Sequence, residues 1–202
     1  NKTVAYIRSL NKPIFIIADA KRADIGNTSR LYATAFFGDG KTTPDFDAVT
    51  VAPYMGKDSI APFLAFEGKW AILLALTSNP GAEDFQLIKT EDNMQYFERV
   101  LMQSKQWGND ENLMYVVGAT RAEMLRKVRA IVPDNFLLIP GVGAQGGDLN
   151  EVLKNGWNNS GGLLINASRS IIFASTGEDF AVAAHKEAKR MQEEMSEFIN
   201  QL

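Results

Sequence analysis

The sequence predicts an α/β fold, a (β/α)8 barrel built on parallel strands. Three observations support this prediction: short apolar runs alternate six times with helical patterns, the runs have no polar face, and polar clusters follow their ends. Strands that are apolar on both faces are typical of a parallel sheet covered by helices. An open doubly wound sheet shows the same features, so the alternation by itself leaves both architectures open.

A helical pattern opens the chain, and a strand follows it. Val4, Ile7 and Leu10 recur at helical spacing, with no capping sequence before them. The run 14–18 has the length and the β-branched residues of a buried strand. Further strands are expected at 48–51, 70–76, 114–117, 136–139 and 162–165. Helices are expected at 28–37, 58–67, 92–107, 122–131, 149–154, 171–174 and 179–202.

Composition narrows the class of protein. The 202 residues suit one domain, and the net charge of −3 with no Lys/Arg-rich run argues against a nucleic-acid partner. A chain with no cysteine and one histidine has no disulfide, no Cys-ligated zinc and no His-rich metal site. No signal peptide or membrane-length apolar run is present, so we expect a cytoplasmic protein with no membrane partner.

Three charged residues follow the first strand. Asp19 and Lys21 are two apart and should face the same side of the strand end, and Asp24 lies in the turn that opens the next helix. A carboxylate, an ammonium and a second carboxylate are costly to bury unless they pair, so this pattern indicates a site. The plainer interpretation is a solvated loop that carries a surface ion pair.

The last two strands favour the barrel. A glycine-rich turn, 140–148, follows the fifth, and Ser168-Arg169 lead from the sixth into a short helix. In barrels the loops after strands seven and eight often bind phosphate, and Arg169 can pair with phosphate through its fork. A tight turn between a strand and a helix, with no role in binding, would have the same glycine-rich sequence as 140–148. If these are strands seven and eight, residues 1–202 are one barrel domain that holds strands three to eight and lacks one and two.

Six segments, taken together and in order, resemble the orotidine 5′-phosphate decarboxylase family, in its longer bacterial subgroup (type 2). The resemblance covers nearly the whole chain. Each segment alone is suggestive, and the ordered set is specific. The segments are 19–28, 48–59, 77–82, 116–120, 140–148 and 167–172.

The resemblance implies a homodimer of (β/α)8 barrels that decarboxylates orotidine 5′-monophosphate to UMP, with no metal and no organic cofactor. It implies that Asp19 lies beside the substrate carboxylate and that Lys21 protonates C6 of the pyrimidine. Asp24 and Thr28 would reach the active site of the partner subunit.

The resemblance also implies the residues that bind substrate. Ser78 would contact the pyrimidine ring, and Pro140 would join it in the substrate site. Gln145 and Arg169 would hold the phosphate, with Gln145 on a loop that closes over it. The phosphate loop would include Gly143, Gly146 and Ser168.

The sequence departs from the family pattern in one respect. The family has a further Lys on the strand before Asp19 and an Asp that contacts the ribose, and neither is found in this chain. Two other functions remain open at this point. One is a magnesium-dependent sugar-phosphate decarboxylase of the same superfamily, and the other is a non-catalytic barrel that binds a nucleotide or phosphate.

Overall fold

The computed structural model describes residues 2–38, 43–143 and 146–202, which form one parallel sheet with helices around it. Each strand pairs in parallel with the next along the chain. A doubly wound sheet reverses its strand order at one point, whereas a barrel keeps it sequential, so the barrel class is confirmed. The strands are Ile17–Arg22 (β1), Ala48–Val51 (β2), Trp70–Leu76 (β3), Leu113–Val117 (β4), Leu137–Pro140 (β5) and Leu163–Asn166 (β6).

Helices connect the strands and cover one face of the sheet. This gives the half-barrel of six strands that the pattern predicts, and within the described ranges β1 and β6 form its two edges. The helices are Lys2–Ser9 (α1), Gly26–Phe36 (α2), Lys57–Leu64 (α3), Ala82–Phe85 (α4), Tyr96–Ser104 (α5), Leu125–Ile131 (α6), Leu149–Gly156 (α7), Arg169–Ile172 (α8) and Phe180–Ile199 (α9), with a 3₁₀ helix over Ala119–Met124.

The two faces of the sheet carry different sets of side chains because residues alternate along a strand. Val49, Leu73 and Tyr115 point outward into the main core, where they join Phe63 and Phe97 from the helices. A smaller cluster fills the concave inner face. It consists of Ala48, Ile72, Met114, Val116 and Leu138.

The first strand begins later than predicted, and the reason lies in a distant side chain. The Asp47 carboxylate accepts a hydrogen bond from Ile16 N–H at 2.6 Å, and pairing with β2 starts at Ile17 opposite Ala48. Phe15 therefore stays outside the strand and is 44% exposed. The strand continues instead through the charged residues to Arg22.

Most predicted helices differ from the structure by a few residues at their ends, and two of these differences have a visible cause. The helix expected at 92–107 begins at Tyr96, because the Glu98 carboxylate accepts a hydrogen bond from Gln95 N–H at 2.8 Å and closes a capping box. The helix expected at 122–131 is divided, since Arg121 has non-helical dihedral angles (φ −121°, ψ 41°) and separates a 3₁₀ turn from α6. Of the helices in the described ranges, none is long and apolar enough to cross a membrane.

Candidate active site

A cleft of about 420 Å³ opens at the carboxyl ends of the strands on the inner face. This volume is in the range of pockets that hold small ligands. Its apolar floor is made by alternate residues of four strands: Ile17, Leu74, Val116 and Leu138. Polar residues surround the floor, and they come from the ends of β1, β3 and β6: Asp19, Lys21, Thr77, Ser78, Asn79, Asn166, Ser168 and Arg169.

Asp19 and Lys21 form an ion pair at one wall of the cleft, as their spacing predicts. Lys21 Nζ lies 2.6 Å from Asp19 Oδ1, and both side chains are more than half exposed. The same carboxylate oxygen accepts a hydrogen bond from the Thr50 hydroxyl at 3.0 Å. An exposed ion pair contributes at most about 1 kcal/mol to stability. The pair is therefore better suited to meeting a ligand than to holding the fold together.

Ser78 brings a buried hydroxyl to the second wall. Its Oγ makes no hydrogen bond to any atom of the described ranges. The Ser78 loop lies against Gly118, where a Cβ would come within 2.0 Å of Ser78 Oγ, so only glycine permits this approach. Gln86 holds the start of the loop by accepting a hydrogen bond from Thr77 N–H at 2.7 Å. A fixed hydroxyl is thus available to a polar ligand.

Arg169 and Ser168 lie on the third wall, after β6. The Ser168 hydroxyl donates a hydrogen bond to Asn166 Oδ1 at 3.3 Å. The Arg169 guanidinium makes no ion pair or hydrogen bond with any residue in 2–38, 43–143 or 146–202, and it faces the cleft next to Pro140. An exposed guanidinium of this kind matches the geometry of a phosphate or carboxylate.

The glycine-rich turn is arranged differently from the sequence expectation. Gly141 and Val142 line the cleft, whereas Gly143 and Gly146 lie beyond it. Gly143 N–H donates to Gly147 O at 3.0 Å, and Gly146 N–H donates to Gly143 O at 2.8 Å. These amide groups therefore form hydrogen bonds within the turn. Glycine suits both positions because their φ angles are positive, 77° at Gly143 and 85° at Gly146. Gln145, expected on this loop, lies outside the described residues.

Asp24 and Thr28 do not line this cleft. Asp24 Oδ1 accepts a hydrogen bond from the neighbouring Ile25 N–H at 2.7 Å, and Thr28 is exposed in the first turn of α2. Of the predicted site residues, the cleft therefore brings together Asp19, Lys21, Ser78, Pro140, Ser168 and Arg169, and Asp24 and Thr28 are not part of its lining.

Sequence reasoning missed three polar residues of this region: Thr50, Asn79 and Asn166. Asn79 and Asn166 line the cleft directly after β3 and at the end of β6. Thr50 is a hydroxyl in an otherwise apolar strand, and that was the signal available in the sequence. In the described part of the chain, no three His, Asp or Glu side chains are close enough to hold a metal ion.

The cleft carries a proton-donating group and an anion-binding group on different walls. An ammonium and a carboxylate stand at one wall, beside an apolar floor, and a guanidinium stands at another wall. A ligand with an anionic tail can bind to the guanidinium and place a reactive group next to the ammonium. Negative charge that develops there would be stabilised by the ammonium, which can also donate a proton.

Comparison with known proteins leads to the same family. The model of the orotidine 5′-phosphate decarboxylase / HUMPS family matches residues 1–184. The orotidine 5′-phosphate decarboxylase of Flavobacterium johnsoniae is 58% identical over 199 residues, which are 98% of this chain and 71% of that protein. The enzyme of the same name from Phocaeicola vulgatus is 54% identical over 200 residues, covering 99% and 72%.

Solved structures agree with the sequence comparisons. The structure of the Leishmania donovani OMP decarboxylase superposes with a TM-score of 0.77 at 33% identity, covering 94% of this chain and 71% of that one. The Toxoplasma gondii structure described as a putative orotidine-monophosphate-decarboxylase superposes with a TM-score of 0.80 at 30% identity, covering 99% of this chain and 74% of that one. The chain thus belongs to the orotidine 5′-phosphate decarboxylase / HUMPS family.

Proposed function

We propose that this orotidine 5′-phosphate decarboxylase converts orotidine 5′-monophosphate into UMP and carbon dioxide in the cleft at the strand ends, with Lys21 as proton donor and no metal or organic cofactor. The observation that carries the proposal is the Asp19–Lys21 pair beside an apolar floor, in a cleft that Arg169 also lines. This supplies a proton donor and an anion-binding group on one small surface.

The chemical step balances with these groups alone. The bond between C6 and the carboxylate carbon breaks, its electron pair stays on C6, and carbon dioxide leaves. Lys21 Nζ stabilises the charge that develops on C6 and transfers a proton to it, which gives UMP and a neutral lysine. The lysine then regains a proton from water. The apolar floor favours this step because charges interact more strongly where water is excluded.

Asp19 and the phosphate-binding groups have supporting roles in this proposal. Asp19 holds the Lys21 ammonium in place and repels the substrate carboxylate, a repulsion that ends when carbon dioxide leaves. Arg169, Ser168 and Gln145 bind the phosphate, and Ser78 and Pro140 contact the pyrimidine. Phosphate binding far from the reacting carbon can stabilise the transition state by holding the substrate in the reactive position.

We propose in addition that one barrel domain pairs with a second copy, and that Asp24 and Thr28 complete the partner's site. Exposed apolar side chains follow the ends of β1, β2 and β3, as expected for an interface: Ile25, Tyr54, Met55 and Phe85. Asp24 and Thr28 precede or begin α2 in the same region and do not reach their own cleft. A sequence without cysteine suits the reducing cytoplasm, where we place the enzyme.

The decisive experiment measures release of carbon dioxide from orotidine 5′-monophosphate by the full natural protein, with and without a chelator of divalent metals. We expect turnover that is unaffected by the chelator. In Lys21→Ala turnover should fall by at least about 1,000-fold while UMP still binds, because only the proton donor is lost. Turnover that needs magnesium would favour the sugar-phosphate decarboxylase, and UMP binding without turnover would favour the non-catalytic barrel.

The shared site is tested by mixing two inactive variants. Lys21→Ala and Asp24→Asn subunits are unfolded together, refolded as a mixture and assayed. If each site combines Lys21 of one subunit with Asp24 of the other, half of the sites in every mixed dimer are intact, and about a quarter of wild-type activity should return. A mixture as inactive as its components would contradict the shared site and leave the proposed chemistry untouched.

A further inference from the structure

Thr50 is a buried hydroxyl that joins β2 to the charged end of β1. The side chain is 1% exposed although it lies in an apolar strand. Its Oγ1 accepts a hydrogen bond from Lys21 N–H at 2.9 Å and donates one to Asp19 Oδ1 at 3.0 Å. The Ala18 carbonyl is farther away, at 3.5 Å, so the one hydroxyl proton is directed to the carboxylate.

The Thr50 hydroxyl lies where the ladder of backbone hydrogen bonds between β1 and β2 is interrupted. Ala18 pairs with Val49 and Arg22 with Val51, so β1 advances four residues while β2 advances two. Lys21, inside this bulge, has a φ of 48°, a conformation that non-glycine residues rarely adopt. Its N–H has lost the usual partner in the ladder, and Thr50 Oγ1 replaces that partner. Bulges of this kind re-aim side chains next to active sites.

We infer that Thr50 is a positioning residue for the reaction, an inference that rests on the proposed function. One oxygen atom ties down both members of the ion pair: Asp19 through its carboxylate, and Lys21 through its backbone. Apart from the bond between Asp19 and Lys21 themselves, no other side chain in the described ranges hydrogen-bonds to either residue. Both side chains are exposed and rotatable, so Thr50 positions the ammonium indirectly, through the Asp19 carboxylate that holds it and through the Lys21 backbone.

A purely structural role for Thr50 makes a different prediction. A hydroxyl that only satisfies the backbone of a bulge would change stability and leave the chemical step alone once the protein is folded. A positioning residue acts on the proton donor. Its loss should lower kcat much more than it weakens product binding, because UMP binds through groups on the other walls of the cleft.

The test uses Thr50→Val, which keeps the shape of the side chain and removes the hydroxyl, and Thr50→Ser, which keeps the hydroxyl. The full natural protein is assayed for kcat and KM with orotidine 5′-monophosphate, for the Kd of UMP and for melting temperature. We expect kcat to fall about 10-fold or more in Thr50→Val, from one lost hydrogen bond to a charged group, with little change in the Kd of UMP. Thr50→Ser should restore most of kcat.

The control is Ser104→Ala, which removes a buried hydroxyl of α5 that contacts Val100 O and Tyr115, away from the cleft. It should lower the melting temperature and leave kcat unchanged. Wild-type kcat in Thr50→Val, or equal kcat in Thr50→Ser and Thr50→Val, would overturn the inference. If Thr50→Val does not fold, Thr50→Ala takes its place under the same criteria. Absence of turnover in the wild-type protein would overturn the proposed function, and this inference with it.

Discussion

The two faces of the sheet differ in whether a charged side chain has hydrogen-bond partners within the protein. On the outer face Arg129 is partly buried, and its guanidinium donates hydrogen bonds to the carbonyls of Asn135 at 2.6 Å, Gly156 at 2.6 Å and Gly162 at 2.8 Å. Burial lowers the pKa of Arg129 to about 10, so it remains charged at neutral pH. On the inner face Arg169 is exposed and has no such partner in the described ranges.

This difference separates what stabilises the protein from what acts on a ligand. A charge that is partly removed from water must be satisfied by the fold, as the three carbonyls satisfy Arg129. A charge that is exposed in a cleft and lacks a partner contributes nothing to stability by itself. Arg169 belongs to this second class, and the Asp19–Lys21 pair comes close to it, because an exposed ion pair contributes at most about 1 kcal/mol. Substitutions on the outer face should therefore change stability, and substitutions in the cleft should change binding and turnover.

The largest expected change in stability comes from the centre of the outer face. Phe63 is fully buried in α3 and makes an edge-to-face contact with Phe37 at 6.3 Å between ring centroids. Phe63→Ala should lower the free energy of unfolding by about 3–5 kcal/mol, because it removes buried area and leaves a cavity. Urea denaturation measures this loss, and kcat of the folded fraction should be unchanged.

Phe180→Ala is the matched control, since Phe180 is 60% exposed at the start of α9. It should change the unfolding free energy by less than about 0.5 kcal/mol. A drop in kcat in Phe63→Ala at temperatures where the variant is fully folded would show that the two faces are not independent, and would break the comparison.

The next largest expected effect is a loss of affinity for UMP at the inner face. Arg169→Ala should weaken UMP binding by about 100- to 1,000-fold, because charged hydrogen bonds to phosphate are lost in a partly enclosed cleft. Binding of uridine, which has no phosphate, should stay the same, and so should the unfolding free energy. Isothermal titration calorimetry with both ligands separates these outcomes.

Arg99→Ala serves as the control for Arg169→Ala. It removes the same charge from α5, where Arg99 pairs with Asp92 outside the cleft. Its affinity for UMP should match that of the wild-type protein. If Arg169→Ala weakened uridine and UMP equally, Arg169 would support the shape of the cleft and would not be a phosphate ligand.

The outer face was also the part that sequence reasoning predicted best. The strands at 48–51 and 70–76 agree with the structure to the residue, because each is an apolar run, apart from Thr50, whose ends are marked by polar or turn residues. The start of β1 could not be predicted, since it depends on the carboxylate of Asp47, far along the chain. The division of the predicted helix at Arg121 likewise accompanies a contact with a distant loop, at Thr77 O.

The site was predictable where two residues lie close together along the sequence. The contact between Asp19 and Lys21 follows from their spacing and is present. The part played by Thr50 depends on a bulge that places two extra residues in β1, and no local pattern announces that bulge. The amides of Gly143 and Gly146 were expected to face an anion, but hydrogen bonds within the turn take them up. The bulge depends on pairing between β1 and β2, and the amides depend on the exact geometry of the turn, so neither could be predicted from residue types alone.

The smallest effect in this series uses a titratable group of the outer face, Tyr115. The residue is fully buried in β4 with its hydroxyl 3.2 Å from Ser104 Oγ, and burial raises its pKa from 10.0 to about 12. The folded state therefore keeps Tyr115 protonated at a pH where the unfolded chain ionises. Its contribution is complete below pH 10 and is lost as pH rises towards 12. Over that window the unfolding free energy should fall by about 2–3 kcal/mol through this group.

Tyr115→Phe isolates this contribution from the lysines and other tyrosines that titrate over the same range. Urea denaturation of both proteins at intervals from pH 9 to pH 12 should give a steeper decline for the wild-type protein, and the difference between the two curves should develop only above pH 10. Parallel curves would mean that the Tyr115 hydroxyl ionises at the same pH in the folded and unfolded states. Burial on the outer face would then not change the pKa of Tyr115, and the pH dependence of stability would not distinguish the two faces.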